Sequence, residues 1–96
     1  FISAENSGEG FFSRGWIFNS DMHFKLDKLL SLVHGVEAER LKGVFITTKG
    51  SVAFNKVDSV VTQLNLNEVN DSRIEVISGR IDTLEGIEAE LLTCLA

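Results

Sequence analysis

Residues 39–57 read ERLKGVFITTKGSVAFNKV, and how this stretch is divided decides the fold. Lys-Gly occurs twice, at Lys42-Gly43 and at Lys49-Gly50, once entering an apolar run and once leaving it. A lysine beside glycine belongs to phosphate-binding loops, where successive backbone N–H groups meet the ligand ahead of a helix. The chain has no G-x-x-x-x-G-K-[S/T], and neither Lys-Gly pair precedes a helix pattern. The stretch instead predicts two strands, Leu41 to Thr47 and Ser51 to Val57, joined by a tight turn. A two-residue Lys49-Gly50 loop would need positive φ at lysine, whereas a Thr48-Lys49-Gly50 loop needs it only at Gly50. The three-residue loop is preferred, and it sets Val44, Ile46, Val52 and Phe54 on one face. Phe45, Ala53 and Asn55 then lie on the other, and a one-residue slip would scramble that division.

Outward from the hairpin, residues 3–10 (SAENSGEG) are small and polar, so residues 1–10 read as a linker or frayed start and residues 11–96 as one domain. FFSRGWIF, from Phe11, predicts a strand with Arg14, Trp16 and Phe18 on one parity and a bend or close approach at Gly15. DMHFKLDKLLSLVHG predicts a helix. Asp21 is its candidate cap, Leu26, Leu29, Leu30 and Val33 its apolar stripe, and Gly35 a left-handed stop. VVTQLNL (60–66) predicts a short strand. RIEVIS (73–78) alternates, with Ile74, Val76 and Ser78 opposite Arg73, Glu75 and Ile77. Asp82 with Glu85 resembles a capping box before a final helix with Leu84, Ile87, Leu91 and Leu95 in one stripe. Gly86 in its first turn points to close packing. The order β-α-β-β-β-β-α predicts an α+β domain: an antiparallel or mixed sheet of four to five strands with both helices on one face.

Composition excludes several function classes. The net charge of −5, with nine scattered basic residues, argues against nucleic acid, which requires a concentrated basic surface. No apolar run approaches the roughly 20 residues that span a bilayer, and no signal peptide is evident, so no membrane partner is expected. A single cysteine cannot form an internal disulfide, which favours a reducing, cytoplasmic setting. The chain opens on Phe1 rather than methionine, as a piece of a longer protein would.

No catalytic site, cofactor site or metal site is expected from the residues themselves. His23, His34 and Cys94 are not spaced to meet on one helix face or loop. His34 at a helix end complements the dipole, and Cys94 falls beside an apolar stripe. No serine occupies a G-x-S-x-G turn, and Arg73 with Glu75 reads as a surface ion pair. A partner surface is what remains: if helices cover one side of the sheet, Trp16 or Phe18 and Phe45 can lie on the other. The alternative is that they fill the core.

GWIF (15–18), ERLKGVFITTKG with AFN (39–55), DSRIEVIS (71–78) and the closing L-x-x-x-x-x-x-L-L-x-C-L (84–95) resemble the C-terminal domain of CobW-type cobalamin synthesis proteins. The resemblance covers nearly all of residues 11–95, with its motifs in order. It implies a parent P-loop GTPase that uses GTP and Mg and delivers a transition metal, zinc or cobalt. The parent's Walker and Cys-x-Cys-Cys motifs match no residues of this chain. The family's histidine-rich linker also has no counterpart before Phe11. Many relatives carry aspartate where Lys25 stands, which moves the expected cap to Asp21. The implied role is a non-catalytic interaction or regulatory domain, with the GTPase domain of the same chain and a client metalloprotein or second subunit as partners. Trp16, Phe45, Asn55 and Arg73 are the candidate contact residues, with Lys42 a further one. The alternative is a metal-binding domain using His23, His34, Cys94 and carboxylates, across a dimer.

Overall fold

A computed structural model describes all residues from 1 to 96. The chain runs β1 (Ile2–Gly8), β2 (Phe11–Phe18), α1 (Leu26–Gly35), β3 (Arg40–Thr47), β4 (Gly50–Val57), β5 (Val60–Leu66), β6 (Ser72–Ser78) and α2 (Ile81–Thr93). All six strands form one antiparallel sheet in the order β1-β2-β6-β3-β4-β5. β6 inserts between β2 and β3, which makes those two parallel to each other and requires the helical crossover that α1 supplies. Both helices pack on one face, so the α+β expectation holds, with one or two strands more than predicted.

Core formation follows strand parity. Trp16 and Phe18 of β2, Leu41 and Phe45 of β3, Val52 and Phe54 of β4, and Ile74 and Val76 of β6 point to the helical side. Leu29, Leu32 and Val33 of α1 and Leu84, Ile87 and Leu91 of α2 meet them. A ladder of rings crosses this core. Phe18 stands edge-on to Phe24 at 5.1 Å between centroids, Phe24 edge-on to Phe45 at 5.1 Å, and Phe45 lies 6.2 Å from Phe54.

The hairpin closes differently from the expectation, and the difference moves a phenylalanine across the sheet. Thr47 stands opposite Gly50, and Phe45 opposite Val52, leaving Thr48 and Lys49 as a two-residue loop. Phe45 therefore joins Val52 and Phe54 in the core, while Val44, Ile46, Ala53 and Asn55 share the uncovered face. This loop is neither the Lys49-Gly50 nor the Thr48-Lys49-Gly50 one, and it puts no positive φ on lysine: Gly50, the first residue of β4, carries it at 108°. Thr47 Oγ1 accepts from the Lys49 N–H at 3.1 Å and donates to the Gly50 carbonyl, which fixes the turn. The Phe45 ring folds back over Gly43: a methyl group at Gly43 would sit 2.7 Å from Phe45 Cε2 and 3.3 Å from the Arg73 carbonyl.

Residues 1–10 are a correction. They are not a linker or frayed start: Ile2–Gly8 pair along their whole length with β2, and Glu9 and Gly10 make the turn with φ of 53° and 82°. Every residue of β1 is exposed, so the strand has no apolar alternation by which to be recognised.

α1 starts later than expected, and Asp21 does not cap it. Residues 23–25 are extended because neighbours on both sides take their backbone groups. The Phe24 N–H donates to Ile46 O at 3.0 Å, and Phe24 O accepts from the Thr48 N–H at 3.0 Å. The Lys25 N–H donates to Cys94 O at 2.7 Å, and His23 O accepts from the Ala96 N–H at 2.8 Å. Gly35 is the last helical residue and has no positive φ, so it is not a left-handed stop. At α2 no side chain caps the first turn: Arg80 occupies the cap position, and its N–H donates to Ser78 Oγ at 3.0 Å.

Nothing lies within 4 Å of the position a methyl group would occupy at Gly86, so close packing does not explain this glycine. Gly86→Ala is expected to stabilise the domain by about 0.5–1 kcal/mol through helix propensity and reduced unfolded-state freedom. Thermal denaturation should show a midpoint raised by a few degrees. A lowered midpoint would mean that the helix needs the glycine.

Candidate interaction surface

The helix-free side of the sheet is built in cross-strand rows fixed by the register. One row carries Ile2, Ile17, Arg73, Val44, Ala53 and Leu64, and the next carries Ala4, Gly15, Glu75, Lys42, Asn55 and Thr62. Because Gly15 has no side chain and Ala4 only a methyl, an open depression of about 440 Å³ lies between β1 and β3. Lys42, Arg73 and Glu75 stand at its rim. A second hollow of about 380 Å³ lies beyond Lys42, against Asn55 and Leu64.

Ile2 and Leu64 are 69% and 64% exposed, so this face presents apolar side chains to solvent at both flanks of a polar centre. Arg40, Lys42 and Arg73 point to it against Glu75 alone among the charged strand residues, on a chain of net charge −5. Arg73 is held in place by Asp71, which accepts from its Nε at 2.9 Å and its Nη2 at 3.0 Å. These hydrogen bonds, reinforced by the charge, keep the Asp71 carboxyl below its usual range and raise the Arg73 guanidinium above its own.

Among the residues singled out in the sequence, Asn55 and Arg73 do occupy this face and are exposed, as is Lys42. Trp16 and Phe45 do not: they are 1% and 0% exposed beneath the helices. Trp16 is tied to α2, since its Nε1 donates to Glu88 Oε1 at 3.1 Å. Arg14 shares that carboxylate through Nη2 at 2.8 Å and stacks 5.1 Å from the indole centroid. Only strand parity could have signalled this, because Arg14 and Trp16 share the core-facing side of β2.

His23, His34 and Cys94 are not brought together. His34 closes α1, His23 pairs its backbone with the C-terminal residue, and Cys94 is buried at the end of α2. Burial raises the Cys94 thiol above its ordinary pKa, which disfavours the thiolate a metal requires. No group of three His, Cys, Asp or Glu side chains is placed to share a metal ion. The residues present therefore do not fit a zinc or cobalt site, and no deep enclosed site with clustered titratable groups accompanies them.

One charged side chain of the core was not singled out in the sequence. Lys56, 4% exposed, sends its ammonium under α1, where it donates to the carbonyls of Val33 at 2.8 Å, His34 at 3.2 Å and Val36 at 2.7 Å. The parity it shares with Val52 and Phe54 was the available signal. No helix is long and apolar enough to cross a membrane.

The chain is 33% identical over 88 residues, 91% of its length, to the zinc chaperone YeiR of Escherichia coli (strain K12). It spans about a quarter of that relative, 27% of its length. No protein-family model matches the chain, and no solved structure does.

Proposed function

We propose that this chain is the non-catalytic C-terminal interaction or regulatory domain of a CobW-like metallochaperone GTPase. The observation that carries this reading is the 33% identity across 91% of the chain to a zinc chaperone of which the chain spans only 27%. The proposed parent holds GTP and Mg and hands on zinc or cobalt as cargo, through residues outside this chain. Its setting is cytoplasmic, and its pathway is metal delivery or cobalamin biosynthesis. The open sheet face is the docking surface, with Lys42, Asn55 and Arg73 as its polar contacts to the GTPase domain and a client metalloprotein or second subunit as the further partner. Trp16 and Phe45 support that face from behind and touch no partner.

The test titrates this domain against the GTP-binding remainder of the parent, with GTP and zinc or cobalt present. Saturable binding is expected. Lys42→Glu with Arg73→Glu is expected to weaken it at least about tenfold, roughly 1.4 kcal/mol, with the thermal midpoint unchanged. Absence of binding by the native pair overturns the reading, as does a parent sequence without a P-loop and a Cys-x-Cys-Cys motif ahead of Phe1. No observation favours the metal-binding alternative, since its three ligands stand apart.

A further inference from the structure

β5 forms one edge of the sheet, and its sequence, VVTQLNL, has no charge, no proline and no glycine over seven residues. Exposed edges are ordinarily blunted by lysine, proline, a bulge or a covering segment, because unpaired N–H and C=O groups are a template for another strand. β5 has none of these protections. Its pairing with β4 is regular from Val57↔Val60 to Ser51↔Leu66, so no bulge bends it away.

Which backbone groups are free follows from the turn. Val57 and Val60 flank a two-residue loop and form the hydrogen-bonded pair nearest to it. Alternation then turns Val60, Thr62, Leu64 and Leu66 toward β4, and aims the N–H and C=O of Val61, Gln63 and Asn65 outward. Those outward groups call for a β-strand, and three features call for a copy of this one. Gln63 is the middle residue of the strand and one of the outward three. A two-fold axis through it therefore sets Gln63 opposite Gln63 of the second copy, and Val61 opposite Asn65. Each pair exchanges both of its N–H···O bonds. The same register sets Val60 beside Leu66 of the second copy and Thr62 beside Leu64, which covers two of the most exposed apolar side chains, Val60 at 66% and Leu64 at 64%. A strand pairing with itself brings any charge near its own copy, and β5 has no charge to repel.

We propose that two copies of this chain associate antiparallel along β5, about a two-fold axis at Gln63, into one continuous sheet. The docking does not depend on the GTPase reading. Its ends carry a built-in brake: Asp58, before β5, lies toward Glu68 of the second copy, after it. Added salt screens that repulsion and tightens the dimer.

Sedimentation of the chain over a concentration series is expected to show a monomer–dimer equilibrium that shifts toward dimer as ionic strength rises. Gln63→Pro removes one outward N–H and leaves the bonds to β4 intact, as proline is tolerated on an edge. It is expected to weaken association at least about tenfold while the thermal midpoint falls only slightly. Gln63→Lys, which sets two ammonium groups across the axis, should do the same without altering the backbone. A native chain that stays monomeric throughout overturns the proposal, as does native-like dimerisation of both variants.

Discussion

Phe45→Ala is expected to destabilise the domain by about 3–5 kcal/mol and to lower its thermal midpoint by roughly 15 °C or more. The ring is fully buried, stands edge-on to Phe24 at 5.1 Å between centroids, and lies over Gly43. Truncation removes its transfer free energy and leaves a cavity whose floor is the backbone of a glycine, which has no side chain to collapse inward. A domain of this length has about 5–10 kcal/mol in total, so a large share of the folded population is at stake. The neighbouring Val44→Ala is the control. Val44 points to the open face, and its loss is expected to cost about 1 kcal/mol or less. Urea denaturation of the two variants reads the hairpin register directly, because a one-residue slip would exchange their effects. Equal costs at both positions would mean that the ring does not carry the core.

This same pair marks the limit of what the sequence could disclose. In RIEVIS, apolar and polar residues alternate, so the pattern alone sets Ile74 and Val76 on the face opposite Arg73, and the structure puts that face in the core. In Val44-Phe45-Ile46 every residue is apolar, so periodicity is silent and the face depends on the turn. The turn preference weighed lysine φ and the shared apolar face, but hydrogen bonds at Thr47 Oγ1 and from the Thr48 N–H to the distant Phe24 carbonyl hold a different loop, Thr48-Lys49. β1 was illegible for a different reason: a strand exposed on both faces carries no apolar signal, and only its pairing with β2 identifies it. The polar half of the candidate surface was readable because Asn55 and Arg73 alternate with buried neighbours. Its aromatic half was not, since whether helices cover a ring is a tertiary fact. α1 begins late for the same kind of reason, because residues 23–25 give up helical bonds for partners far along the chain.

Lys56→Met is expected to cost about 2–4 kcal/mol, although it exchanges a charged residue for an apolar one of similar length in a buried place. Burying an ammonium is ordinarily unfavourable, and an isolated one would be lost from the core. Here its three donors meet the carbonyls of Val33, His34 and Val36 at 2.7–3.2 Å, at the negative end of α1, with its stem packed beneath the helix. The Val36 N–H closes the last turn on Leu32 O at 2.9 Å, but no glycine in a left-handed conformation follows to satisfy the remaining carbonyls. Methionine would fill the volume and leave those acceptors facing a thioether. Arginine would not substitute, because its planar fork cannot direct donors at three carbonyls around one point. Lys49→Met, at the exposed turn of the β3–β4 hairpin, provides the reference and should change stability by no more than about 0.5 kcal/mol. Amide hydrogen exchange adds a local readout: in the Lys56 variant, protection in the last turn of α1 should fall first, while the strand amides of β6 follow only the global loss. If the two lysine variants prove equally stable, water rather than Lys56 satisfies the end of α1, and the buried ammonium contributes nothing to holding the helix on the sheet.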